Sequence, residues 1–366
     1  GRLFLRFWGG GLGAAAILAL SLQVMGPPRH DLEGQDIDVT GNNPADKSAR
    51  TGILPPQTAL LARKDGPGGY PLPVRGPHGQ TARRAYAAPA VDVPPGTPMV
   101  ALLLDGITQA DSLSDDALTS LPGPISIALS SGTTGLDTIA TQARQHQHET
   151  FITLPVQAQD SKDPATKALT LLHSPQQNMD LLTSTLSSLE GYVGVASTPV
   201  GGDDTPFTTS EGFRPILESI DSHGLLYLDG TPGTPVTGPG VLGQVDVRVN
   251  ADTDIVAIDI QLLKLQQLAR QNGRAIGVIG PLRPVALACL RAWIAHLKDV
   301  GIALVPVSHI VLPVDQPAST PAVAAGPMRL HLASPPPRRR QFSPLARPTH
   351  FPPPPRPFTP QPCPSP

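Results

Sequence analysis

Apolar residues between positions 98 and 311 gather in short uninterrupted runs: Val100–Leu104, Ile125–Leu129, Phe151–Leu154, Tyr192–Ala196, Leu225–Leu228, Val245–Val249, Ala275–Ile279 and Ile302–Val305. Runs of this length without polar alternation are what strands buried on both faces require. Between most of them the apolar positions switch to helical spacing. In SPQQNMDLLTSTLSSLEG, Ser174 is placed to cap, Pro175 suits the first turn and Gln177 completes a capping box. Leu181, Leu182, Leu186 and Leu189 then form the buried stripe, and Gly191 ends it. GFRPILESIDSHG, IQLLKLQQLARQNG and PVALACLRAWIAHLKDVG also end in glycine. Repeated strand–helix units predict a parallel sheet with right-handed crossovers. Seven or eight of them favour a closed or nearly closed barrel, with an open doubly wound sheet as the alternative. In either case a functional site belongs where the strands end.

Composition divides the chain of 366 residues: it holds 45 prolines and 35 glycines, and the prolines are dense before residue 98 and after residue 311. Four segments are expected. Residues 1–28 carry Arg2 and Arg6 and then no charge from Phe7 to Pro28, long enough for a bilayer-spanning helix. With the basic flank first, the rest of the chain is expected on the exported side, either anchored or released from a cleaved signal segment. Residues 29–97 read as a flexible Pro/Gly-rich spacer, 98–311 as the folded domain, and 312–366 as a Pro-rich tail favouring extended polyproline II. Charge is balanced, 27 basic against 29 acidic residues, which gives no electrostatic reason to expect nucleic acid. The two cysteines, Cys289 and Cys363, form no CxxC pair that would point to zinc or redox chemistry.

The strand ends carry the candidate chemistry. MVALLLDG stops at Asp105, and an acid closing a buried strand is costly without a partner or a task. Further along come LPVQAQD, GVASTPVGGDD, LDGTPG and IGPLRP. This ordered series, with GLLYLDG, EGFRPILESI and GIALVPVSHIV, resembles the divergent polysaccharide deacetylase family over about residues 98 to 311. The resemblance implies a distorted (β/α) barrel of the polysaccharide deacetylase type. It also implies metal-dependent deacetylation of an N-acetylated glycan, with a divalent ion such as zinc, in carbohydrate or cell-envelope metabolism. For the compartment it implies the periplasmic side of an inner membrane.

Several positions depart from the family pattern. Its paired acids become Asp105 followed by Gly106, and its Glu after Leu-Pro becomes Gln157. Its Asn-His-Met-Gly histidine falls within Ser197–Val200, where no histidine stands, while Phe207-Thr208 of the following segment are kept. Its His-Pro-His element becomes Pro281-Leu282-Arg283. Zinc needs three protein ligands and one open position, which one carboxylate does not supply. The expectation is therefore a retained barrel with no metal cofactor, binding a glycan or an envelope partner at its mouth. An active deacetylase with a rearranged site, or an envelope scaffold working through its Pro-rich tails, remains an alternative.

The candidate residues are these. Asp105 is either a weak general base and glycan-hydroxyl acceptor or a cap accepting backbone N–H groups near Ile107 and Thr108. Asp203, Asp204 and Asp229 are candidates, with Asp105, for holding a hard cation or a substrate through oxygen. Arg283 is a candidate for bidentate binding of a carboxylate or sugar hydroxyls. His309, just past the last strand, is the one histidine expected near the mouth. His146, His148 and His223 read as helix-end residues, and the hydroxyls of LSSGTTGLDT as caps for a helix starting at Leu136.

Overall fold

The computed structural model describes residues 52–159, 167–200, 207–233 and 235–312. The apolar runs fall on the parallel main sheet, which begins with β3 (Met99–Gln109); before it, β1 (Leu61–Asp65) and β2 (Pro71–Pro73) form a separate antiparallel pair. After the short helix α1 (Ala82–Ala85) and β3 come α2 (Ser112–Ser120), β4 (Ser126–Thr134), α3 (Leu136–Gln145) and β5 (Thr150–Gln157). Then follow α4 (Pro175–Leu186), β6 (Gly194–Val200), α5 (Arg214–Ser222), β7 (Leu226–Asp229), β8 (Val241–Gln244) and β9 (Val247–Asn250). The domain closes with α6 (Ile255–Asn272), β10 (Arg274–Gly280), α7 (Pro284–Leu297), β11 (Ala303–Leu304) and α8 (Val307–Val311). The capping box of α4 forms as its sequence predicts, with Ser174 accepting from the Gln177 N–H and the Gln177 side chain accepting from the Ser174 N–H.

Strand order in the sheet is β8-β7-β6-β5-β4-β3-β10-β9, every neighbouring pair parallel. The two ends of that order belong to one stretch of chain. Val241–Gln244 pairs with β7, and three residues later Val247–Asn250 pairs with β10. The handover is visible in two consecutive amides: Val245 N–H donates to Asp229 O, and Asp246 N–H donates to Ile276 O. One strand thus changes partner halfway along and closes a distorted (β/α) barrel. It leaves a notch between β8 and β10 below and another between β7 and β9 above. The strand expected at Ile302–Val305 is reduced to β11, which lies beside the first residues of β3.

Strand parity tells which side chains face the lumen. A Cβ on Gly277 would lie 2.6 Å from Leu265 of α6 and 2.9 Å from Leu102, so Leu102 faces the helices. Leu103 and Asp105 alternate with it and face inward. A Cβ on Gly243 would lie 2.6 Å from Val311, so α8 stops the lower end of the lumen. Its Ser308 reaches Glu149 and its Val307 N–H donates to Ser126 Oγ at the starts of β5 and β4.

The structure corrects the spacer reading for residues 52–97. This segment is pinned along the domain: Leu60, Ala82 and Tyr86 are buried, and Gln57 N–H donates to Tyr86 Oη. Tyr70 N–H donates to Ser187 O, Arg83 pairs with Asp221 at 2.6 Å, and Ala88 N–H donates to Glu149. Pro and Gly disfavour regular helix and strand, but a few long-range anchors suffice to order the segment. The hydroxyls of LSSGTTG are also corrected. β4 runs through them to Thr134, and the cap of α3 is Gly135, left-handed at φ 74°, with no side-chain cap. Residues 1–51 and 313–366 lie outside the described residues. Among the described residues, no helix is long and apolar enough to cross a membrane.

Candidate functional site

Asp105 sits near the upper end of β3 with its carboxylate turned into the mouth. Its Oδ1 accepts the Gly106 N–H at 2.7 Å, and its Oδ2 lies 3.8 Å from Arg248 Nη2 of β9. The register explains the pairing: Arg248 aligns with Val278, and Val278 with Leu103, so all three share the lumen side with Asp105. Burial pushes the Asp105 carboxyl above the ordinary carboxylate range, and the Arg248 charge and the Gly106 N–H only partly offset it. The sequence expectation of a turn capped at Ile107 and Thr108 is not met. β3 continues to Gln109 through two register shifts, and Gly106 supplies the one backbone donor.

Gly106 is where the family pattern has its second acid, and the structure gives a physical reason for the change. Its φ is +85°, and a Cβ there would lie 2.6 Å from Pro281 Cα and 2.9 Å from Pro281 Cβ. Pro281 belongs to the loop after β10 that replaces the histidine element. The loop after β10 occupies the room that a side chain at position 106 would need. The two departures from the family pattern are thus in direct contact.

Asp229 does not join Asp105. It ends β7 on the face shared with Tyr227, whose ring packs on Phe213 at 5.6 Å, whereas Leu228 shares the lumen side with Gly243. Its carboxylate is 1 % exposed and accepts from Ser197 Oγ, Thr208 Oγ1 and Thr231 N–H, each at 3.0 Å. Burial raises its pKa against those three donors. This corrects the reading of Asp229 as a ligand-binding acid. It stitches the ends of β6 and β7 to the single turn Phe207–Thr209, which gives Thr208 a structural role.

Arg283 lies at the rim after β10 and pairs with Asp252 at 2.8 Å, both side chains about half exposed. Asp203 and Asp204 lie outside the described residues. His309 is corrected: it sits in α8 at the closed end, where burial lowers its pKa and the Glu149 charge opposes that. His148 is buried with Nδ1 2.8 Å from Ile125 O and Nε2 2.9 Å from Leu118 O, and His223 Nδ1 meets Pro73 O.

Two residues escaped the sequence reading. Arg248 had a signal, since VDVRVN alternates valines with Asp246 and Arg248 and so carries a polar stripe down one face of a barrel strand. Glu149 had none. It is a lone acid before an apolar run, and only the fold brings four donors to it.

The donors expected of the family's metal site are not gathered here. Among the described residues no three His, Cys, Asp or Glu side chains come together in a way that could hold an ion. Asp105 faces the Arg248 guanidinium, whose charge repels a divalent cation at the same place. The described residues therefore do not fit the metal that the family implies.

A family model for divergent polysaccharide deacetylases matches residues 102–311, more than half of the chain. The chain belongs to the divergent polysaccharide deacetylase family. Among solved structures it is similar to an uncharacterized protein from Agrobacterium tumefaciens C58, with a TM-score of 0.57 and 24% identity, over 66% of this chain and 99% of that one. That likeness supports the barrel. A protein from Mycobacterium smegmatis, provisionally assigned as a polysaccharide deacetylase, also matches, with a TM-score of 0.37 and 13% identity over 61% of this chain and 92% of that one. No curated protein matches the chain.

Proposed function

We propose that this divergent polysaccharide deacetylase works by binding a glycan at the barrel mouth around Asp105 and Arg248, without metal-assisted hydrolysis. One observation carries the reading: the Arg248 guanidinium faces Asp105 where the family chemistry calls for a cation, while Pro281 closes the place of the second acid. A half-buried pair of one carboxylate and one guanidinium offers acceptors and donors suited to sugar hydroxyls. The uncharged run Phe7–Pro28 supports a membrane-tethered, periplasm-facing placement for such a binder, and the family supports a cell-envelope ligand.

A second reading has its own support. A buried carboxyl with a raised pKa at a cavity is suited to proton transfer, so Asp105 acting as a general base is the competing activity. The experiment that separates the two incubates the purified protein with N-acetylated chitin and peptidoglycan oligomers, with and without added zinc. It follows acetate release and oligomer binding together. Binding that survives chelation, with no acetate above a boiled control, supports the binder. Acetate release abolished by Asp105→Asn overturns it.

A further inference from the structure

We infer that the ligand at the mouth carries a carboxylate, held by Arg248 and Lys264; this rests on the glycan-binding reading and names the chemical class of its ligand. The place is the upper notch, where the strand from Val241 to Asn250 has left β7 and not yet been replaced beside it. A cavity of about 580 Å³ opens there, lined by Thr231 and Pro232 on one side and by Asp246, Arg248 and Asn250 on the other. Gln261 and Lys264 of α6 stand behind it. That is a volume in the ordinary range for small-ligand sites.

The guanidinium spans this notch. Nη2 points toward Asp105 but at 3.8 Å is beyond hydrogen-bond reach, and Nη1 lies 3.9 Å from where a Cβ on Gly230 would stand. No other acceptor among the described residues meets its five donors, although its side chain is only 30% exposed. A half-buried guanidinium at a cavity wall, with no other acceptor among the described residues, is set up for an incoming acceptor, and a carboxylate matches its fork in two parallel hydrogen bonds. Lys264, exposed on the neighbouring wall and without an acceptor among the described residues, adds a second positive charge. The one acid lining the cavity, Asp246, already accepts the Ile276 N–H at 2.8 Å. Asn250 spends its carbonyl on the Asp252 N–H, so its amide protons remain to meet sugar hydroxyls. The chemistry selects a sugar with an acid group, such as a hexuronate, over a neutral one.

The test compares two probes of equal length on the full chain by isothermal titration: a β-1,4-linked tetraglucuronate and the neutral cellotetraose. Tetraglucuronate is expected to bind at least tenfold tighter, with the preference fading at high salt. Arg248→Gln removes the preference, Arg248→Lys restores part of it, and Lys264→Gln weakens it about threefold, all with unchanged melting temperatures. Equal affinity for both probes, unaltered in Arg248→Gln, overturns the acidic ligand and leaves the glycan binder standing. If Arg248→Gln does not fold, a preference that survives in Lys264→Gln at high salt overturns it instead. No binding of any neutral, acidic or N-acetylated oligosaccharide overturns the glycan reading and this inference together.

Discussion

Two carboxylates, one fully buried and one largely so, stand at the two ends of the barrel and are kept in opposite ways. Glu149, at the closed end, is fully buried and accepts from Ala88 N–H, Ser126 Oγ, Ser308 N–H and Ser308 Oγ. Asp105, at the mouth, accepts one backbone N–H and looks at a guanidinium across 3.8 Å. Burial costs a carboxylate its hydration, and hydrogen bonds from the fold can replace it. At Glu149 the replacement is complete, and donors from three separate stretches of chain meet on one side chain. At Asp105 it is partial, which leaves capacity for a ligand. Asp229 lies at the mouth by position but belongs with Glu149 by bonding. Saturation of a buried acid, more than its place at a strand end, separates a structural role from an available one.

The largest expected effect tests the saturated end. Glu149→Ala leaves the Ala88 and Ser308 amides and two hydroxyls without their acceptor, and should cost about 4 kcal/mol in urea unfolding. Residues 52–97 should also become sensitive to protease, because Ala88 is tied to that carboxylate. A cost below about 1 kcal/mol would remove the distinction between the two ends.

Next in size is the attempt to give the mouth its second acid. Gly106→Asp places a side chain at φ +85° and 2.6 Å from Pro281 Cα, and should cost about 3 kcal/mol by thermal or urea unfolding. If the variant is as stable as the parent and gains zinc affinity, the loop after β10 is not what displaced the acid. Thr208→Val keeps the shape and removes one of the three donors to Asp229, for an expected loss of about 2 kcal/mol. A neutral result would mean that Asp229 is less dependent on its bonds than Glu149.

Much of this arrangement was legible in the chain. The eight apolar runs all lie at or overlap strands, and the capping box of α4 is where Ser174 and Gln177 put it. The shape of the barrel was less so, because Val241–Gln244 is a strand only by virtue of its partner β7, and the handover at Val245-Asp246 depends on two competing neighbours. Asp105 and Asp229 both close apolar runs, and nothing local tells that one faces the lumen and the other the helices. That follows from register, which is a property of pairs of strands. The 52–97 segment failed for the related reason that its anchors, Tyr86, Arg83 and Ala88, act over distances in sequence that composition does not sense.

The smallest expected effect has the opposite sign and bears most directly on Asp105. Its folded pKa is raised by burial, so the native state holds its proton more tightly than the unfolded chain does. Stability from this group is then present at low pH and is lost as pH rises from the ordinary value of 3.8 through the folded pKa. Asp105→Asn keeps an acceptor for the Gly106 N–H and removes the charge that burial penalises. Compared across pH by urea unfolding, the variant should match the parent at acid pH and exceed it modestly at neutral pH. Asp229, also raised, titrates in both proteins and cancels from the difference. A variant clearly less stable than the parent at neutral pH would mean that Arg248 holds Asp105 as firmly as the four donors hold Glu149. The mouth would then be a closed ion pair with nothing left over for a ligand.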